Sequence, residues 1–217
     1  MTRSRQGLAG VLALFAVLQG CASYEGAPNP AWFPAATTAA DRRTPGRVAL
    51  VVLPQVQASV SAVGKLLKLQ IGAIAERATR TALGDGLEGG VQQVYGTLPP
   101  TGGHSATLVI DAVRFQHQER TVWYVWVPPL SQLMRYEAST RLAFDVTLFD
   151  AQGALVWTRT YDDDAGRLVW TTPSADSTPL PEDIGRVAHE SAWRLAQRIS
   201  HDLREWMHTE RMRPRSL

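Results

Sequence analysis

The run Arg141-Leu-Ala-Phe-Asp-Val-Thr-Leu148 sets Leu142, Phe144, Val146 and Leu148 on one side of an extended chain and Ala143, Asp145 and Thr147 on the other. That period of two is the mark of a strand with one face in a core. Asp150-Ala-Gln-Gly153 follows as a short glycine-containing hairpin loop. Ala154 to Tyr161 then returns as the antiparallel partner, with Leu155, Trp157 and Tyr161 on one face. Upstream, Ala106 to Gln118 reads as a further strand.

Working outward, Arg47 to Leu53 is a short β-branched run closed by Pro54, the pattern of a buried strand. Residues 61–83 carry Leu67, Ile71, Ile74, Ala75, Ala78 and Ala82 at three- and four-residue spacing, which predicts a helix. Gly84, Gly86, Gly89 and Gly90 end it, and Val91 to Tyr95 is a short candidate strand. Asp162 to Thr178 reads as a polar loop in which Asp162, Asp163 and Asp164 stay solvated, because like charges repel. Pro181 opens a final helix whose stripe runs through Ile184, Val187, Ala188, Ala192, Leu195, Ile199, Leu203 and Trp206. The expected fold is therefore α+β: a two-layer sandwich of two main helices on a mostly antiparallel sheet of about four to five strands. This domain spans 47–210, followed by a basic, frayed end at 211–217.

Composition fits that reading. The chain has 217 residues, 45% hydrophobic and 19% charged, as a globular protein requires. Lys and Arg total 22 against 20 Asp and Glu, with no basic stripe, so nucleic acid is not an expected partner. The single cysteine excludes a disulfide framework and multi-cysteine metal sites within one chain.

Catalytic signatures are absent from the sequence. There is no G-x-S-x-G elbow, and Ser191 and Ser200 fall within the last helix, facing small core gaps or solvent. The five histidines, His104, His117, His189, His201 and His208, form no H-E-x-x-H, and the helical ones read as surface residues. His201 and His208 stand two turns apart, ~10 Å in rise, too far to share an ion. Gly84-x-Gly86-x-x-Gly89 has the spacing of a phosphate loop but follows a helix, not a strand. The expectation is a protein that is not an enzyme and has no catalytic, metal or cofactor site. An envelope hydrolase with a site not visible in sequence stands as an outside alternative.

The N-terminus is more specific. Arg3 and Arg5 precede an apolar run from Leu8 to Leu18. At 1.5 Å per residue that run covers ~16 Å, too short to span a bilayer and suited to a signal-peptide core. It ends in Leu18-Gln19-Gly20-Cys21, which resembles the lipobox of bacterial lipoproteins. The resemblance implies cleavage between Gly20 and Cys21, a diacylglycerol on the Cys21 thiol and a palmitate-type acyl chain on its new amino group. Such chains, at ~0.8 kcal/mol per buried CH₂, make a stable anchor. Ala22, where an aspartate would signal inner-membrane retention, resembles the outer-membrane class, so the expected place is the periplasmic face of the outer membrane. Removing residues 1–20 takes away two arginines and no acid, leaving 20 basic and 20 acidic residues.

Residues 21–46 then form the lipid anchor and a tether rich in Pro, Ala and Thr. Its twenty-five residues after Cys21 reach ~80 Å fully extended and ~25–30 Å as a coil. For Trp32 and Phe33 two readings stay open, docking on the domain or insertion at the membrane interface.

The remaining feature is aromatic. Residues 120–136, RTVWYVWVPPLSQLMRY, carry Trp123, Tyr124, Trp126, Leu130 and Met134 with apolar groups on both faces of an extended chain. Either the domain folds over one side, or these five residues form a protruding contact for a protein partner or lipid. The whole layout resembles small accessory lipoproteins of the Gram-negative envelope: the lipopolysaccharide-assembly lipoprotein, auxiliary lipoproteins of lipid-transport ABC systems and lipoprotein activators of peptidoglycan synthases. That resemblance implies a docking or accessory subunit of an envelope complex, or alternatively a module that binds or transports lipid or glycolipid.

Overall fold

A computed structural model describes residues 24–33, 43–63, 67–94, 103–123, 134–172 and 181–212. In chain order the elements are β1 (Tyr24–Gly26), a 3-10 turn (Pro30–Trp32), β2 (Val48–Val52), α1 (Pro54–Gln57), β3 (Ser61–Val63), β4 (Leu67–Leu69) and α2 (Ile71–Gly86). There follow β5 (Val91–Val94), β6 (Ala106–Trp123), β7 (Met134–Asp150), β8 (Leu155–Thr172) and α3 (Pro181–Met212). The fold is α+β. No helix among the described residues is long and apolar enough to cross a membrane.

The main sheet has the order β5-β2-β6-β7-β8. Its β6-β7-β8 half is the antiparallel meander read from sequence, with Phe144 opposite both Val113 and Tyr161. The Asp150 hairpin closes as its sequence requires. Asp150 Oδ1 accepts from the backbone N–H of Gln152 (2.9 Å) and Ala154 (2.8 Å), and Gly153 takes φ 81°, a region that favours glycine. In the other half β2 pairs in parallel with both β5 and β6. A strand between two parallel neighbours is covered on both faces, and all five residues of β2 are buried.

One face of the meander packs on the helices. Leu108, Ile110, Leu142, Phe144, Val146 and Leu148 join Ile74, Leu83, Leu195, Ile199 and Leu203 in one core. Fully burying each such side chain contributes about 1.5–3 kcal/mol relative to exposure. Small residues let the helices approach closely: Ser200 Oγ, buried, donates to the Ala82 carbonyl at 3.2 Å. Ser191 is buried as well and accepts from Arg194.

Three segments depart from the sequence expectation. The helix expected over 61–83 begins at Ile71, and the residues before it form β3 and β4 in a separate sheet of order β1-β4-β3. Leu67 and Leu69 turn inward while Lys68 faces out, a strand alternation hidden inside a helical spacing. The expected loop from Asp162 continues as strand to Thr172, because two of the three aspartates find cations. Asp162 accepts from Arg141 at 2.7 Å, and Asp163 from Arg194 at 2.8 and 3.1 Å. Within the expected tether, residues 24–33 supply β1 and the 3-10 turn.

Candidate functional site

Gly20 and Cys21 lie outside the described residues. The first described element after them is β1, in parallel register with β4: Tyr24 opposite Leu67, Glu25 opposite Lys68 and Gly26 opposite Leu69. The Gln70 N–H extends this ladder to the Gly26 carbonyl at 3.0 Å. Asn29 then caps the 3-10 turn, its Oδ1 accepting from the Ala31 N–H at 3.0 Å.

The centre of this attachment is His189, which the sequence placed on a helix surface and the structure buries completely. Its Nε2 accepts from the backbone N–H of Asn29 at 3.0 Å, which leaves the proton on Nδ1 to be donated to the Gly185 carbonyl at 2.7 Å. Burial pushes the imidazole below its ordinary value, against the opposing effect of the Gly185 hydrogen bond. Trp32 meets the imidazole edge-on at 4.7 Å between centroids, and Phe33 lies 5.2 Å from it and 6.5 Å from Trp193. Phe33 is buried, so of the two open readings these aromatics dock on the domain. Gly185 permits the fit: a Cβ there would sit 3.3 Å from the Trp32 ring.

The opposite face of the meander is polar and organised in rows across the strands. Arg114 forms a two-pronged pair with Asp145, which also accepts from Thr160 Oγ1 at 2.7 Å. Burial raises the Asp145 carboxyl, but the Arg114 and Thr160 hydrogen bonds outweigh it and hold the group below its ordinary value. The Arg141–Asp162 pair lies beside this row, and its hydrogen bond lowers the Asp162 carboxyl. Between them lies an open depression of about 390 Å³ lined by Arg114, Gln116, Arg141, Ala143, Thr160 and Asp162. Both of its arginines are already paired, Arg114 with Asp145 and Arg141 with Asp162.

On the helix side, Asp202 Oδ2 accepts from Arg159 at 2.6 Å and from the Tyr161 hydroxyl at 2.8 Å. Burial raises the Tyr161 phenol well above its ordinary value, and the Asp202 carboxylate adds to this. His201, Asp202 and Glu205 bring potential ligand atoms within 4.8 Å of one another. A cation there competes with Arg159 and Tyr161 for Asp202, which already serves as a strand-to-helix clasp.

Of the aromatic contact residues expected from sequence, Trp123 and Met134 stand opposite one another as the last pair of the β6–β7 ladder. Tyr124, Trp126 and Leu130 lie outside the described residues. Sequence reasoning missed the His189 attachment. The only local signal was a histidine flanked by the buried Ala188 and Ser191 on the final helix stripe.

No protein-family model matches the chain, and the search of curated proteins found no match. Among solved structures, the crystal structure of protein XCC0632 from Xanthomonas campestris, with family model DUF330, is similar at 11% identity. The match covers 87% of this chain and 97% of that one, at a TM-score of 0.44. A likeness that weak carries no argument about activity.

Proposed function

We propose that this chain is an outer-membrane lipoprotein, acylated at Cys21 after removal of residues 1–20, whose periplasmic domain is a non-enzymatic docking subunit of an envelope complex. The observation that carries the reading is Leu18-Gln19-Gly20-Cys21 at the end of a short apolar run behind two arginines. Anchoring supplies the mechanism. A domain confined to one membrane meets a partner in the same membrane at raised effective concentration, so a modest contact suffices. The contact surface in this reading is Trp123, Tyr124, Trp126, Leu130 and Met134, residue types enriched where proteins meet.

Intact-mass analysis of membrane-extracted protein tests the anchor. The expected species starts at Cys21 and carries diacylglycerol plus an acyl chain, and Cys21→Ser abolishes both cleavage and lipid. A bare thiol at position 21, or an uncut leader, overturns the proposal. Photo-crosslinking from position 126 in cells tests the docking role. Capture of a single envelope protein supports it, and absence of any crosslinked protein overturns it.

A further inference from the structure

We infer that the domain rests directly on the bilayer through the end built from β1, β3, β4 and the N-terminal turns of α3, with lipid headgroups as the partner of that surface. This deepens the lipoprotein reading and rests on it. The argument is one of chain length. Only Ala22 and Ser23 separate Cys21 from β1, so the anchor and Tyr24 are at most ~11 Å apart. A free tether of the full length would allow ~80 Å.

Residues 24–33 are not free to supply that length. The β1–β4 ladder, the Gln70–Gly26 bond, the Asn29–His189 bond and the buried Phe33 fix them at four successive points. The surface next to this exit is suited to headgroups. On the small sheet Lys68 stands between Ala62 and Glu25 in register, and Lys68 and Ala62 are exposed while Leu67 and Leu69 turn into the core. Lys68 thus offers an ammonium to lipid phosphates.

The same contacts fix which end lies away from the membrane. Trp32 and Leu69 both flank Gly185. Asp202, seventeen residues along α3 or ~25 Å, meets Arg159 near the start of β8. Gln152, in the exposed β7–β8 turn beyond Arg159, therefore sits on the order of 35 Å from the anchored end.

Acylation occupies the chain's only cysteine, so Ala62→Cys and Gln152→Cys each give the mature lipoprotein a single reactive thiol. Each full-length mature variant is labelled with a fluorescent donor and reconstituted into phosphatidylethanolamine–phosphatidylglycerol vesicles carrying an acceptor-tagged lipid. Efficient energy transfer is expected from position 62 and loss of most of it at position 152. A flexible Gly-Ser insert of twenty residues between Ser23 and Tyr24 keeps the protein on the vesicles and abolishes the difference. Equal transfer from both positions without the insert, or a difference that survives the insert, overturns the inference. A protein that does not stay on vesicles at all, with an unmodified Cys21 by mass, overturns the lipoprotein reading instead.

Discussion

The backbone N–H of Asn29 donates to Nε2 of His189, 160 residues further along the chain, while Nδ1 of the same ring is spent on the Gly185 carbonyl. Both nitrogens are committed, one as acceptor and one as donor, so the ring is held in a single neutral tautomer. A second proton has no place to go. It would face the Asn29 N–H inside a pocket closed by Trp32 and Phe33.

Acid therefore loosens this attachment. The folded-state pKa of His189 is depressed below 6.5. Its contribution is fully present above the ordinary imidazole value and is lost as pH falls from there toward the depressed one. Thermal unfolding followed from pH 8 to pH 5 is expected to show a drop beginning near pH 6.5. His189→Leu removes that component of the slope and costs about 1–3 kcal/mol at pH 8, because the Asn29 donor is left without a partner. An unchanged slope in the variant counts against this account.

Two glycines on α2 predict opposite outcomes. A Cβ on Gly72 would lie 1.7 Å from the Val56 carbonyl oxygen, a backbone atom of α1 that moves only if α1 moves. Gly72→Ala is expected to cost about 1–3 kcal/mol or more in denaturant unfolding. A Cβ on Gly84 meets nothing within 4 Å. Gly84→Ala is expected to stabilise by about 0.5–1 kcal/mol, through helix propensity alone.

Asp202 joins β8 to α3 through Tyr161 and Arg159. Tyr161→Phe removes a hydrogen bond to a carboxylate and is expected to cost about 1.5 kcal/mol. Arg159→Ala, on the exposed side of the same carboxylate, is expected to cost under about 1 kcal/mol. In an alkaline titration followed by ultraviolet absorbance, Tyr161 remains protonated where an ordinary tyrosine ionises, and Asp202→Asn brings it down.

The docking proposal makes a separate demand on the aromatic segment. The double variant Trp123→Ser, Trp126→Ser is expected to leave the unfolding midpoint of the domain unchanged and to abolish crosslinking to the envelope partner. A large fall in the midpoint instead assigns these tryptophans to the core.

What the sequence made legible was whatever is decided locally. The alternation from Leu142 to Leu148, the aspartate–glycine turn after it and the long stripe of the last helix each carry their own signal within about ten residues, and all three are present. What it hid depends on distant partners. β3 and β4 are three residues each and gain a third strand only from Tyr24–Gly26. The aspartates at 162 and 163 are strand residues because Arg141 and Arg194 neutralise them from other elements. His189 is interior because an N–H from the far end of the chain arrives to meet it. The two parallel pairings of β2 likewise have no local signature, since nothing in Val48–Val52 names its neighbours.

The clamp on residues 24–33 has a bearing on how the molecule matures. Its decisive half, the pocket of His189 and Trp193, belongs to α3, the last of the described elements in chain order. The first described residues of the chain are thus secured by its last described element, and a chain cut short before position 181 lacks the pocket that holds Trp32 and Phe33.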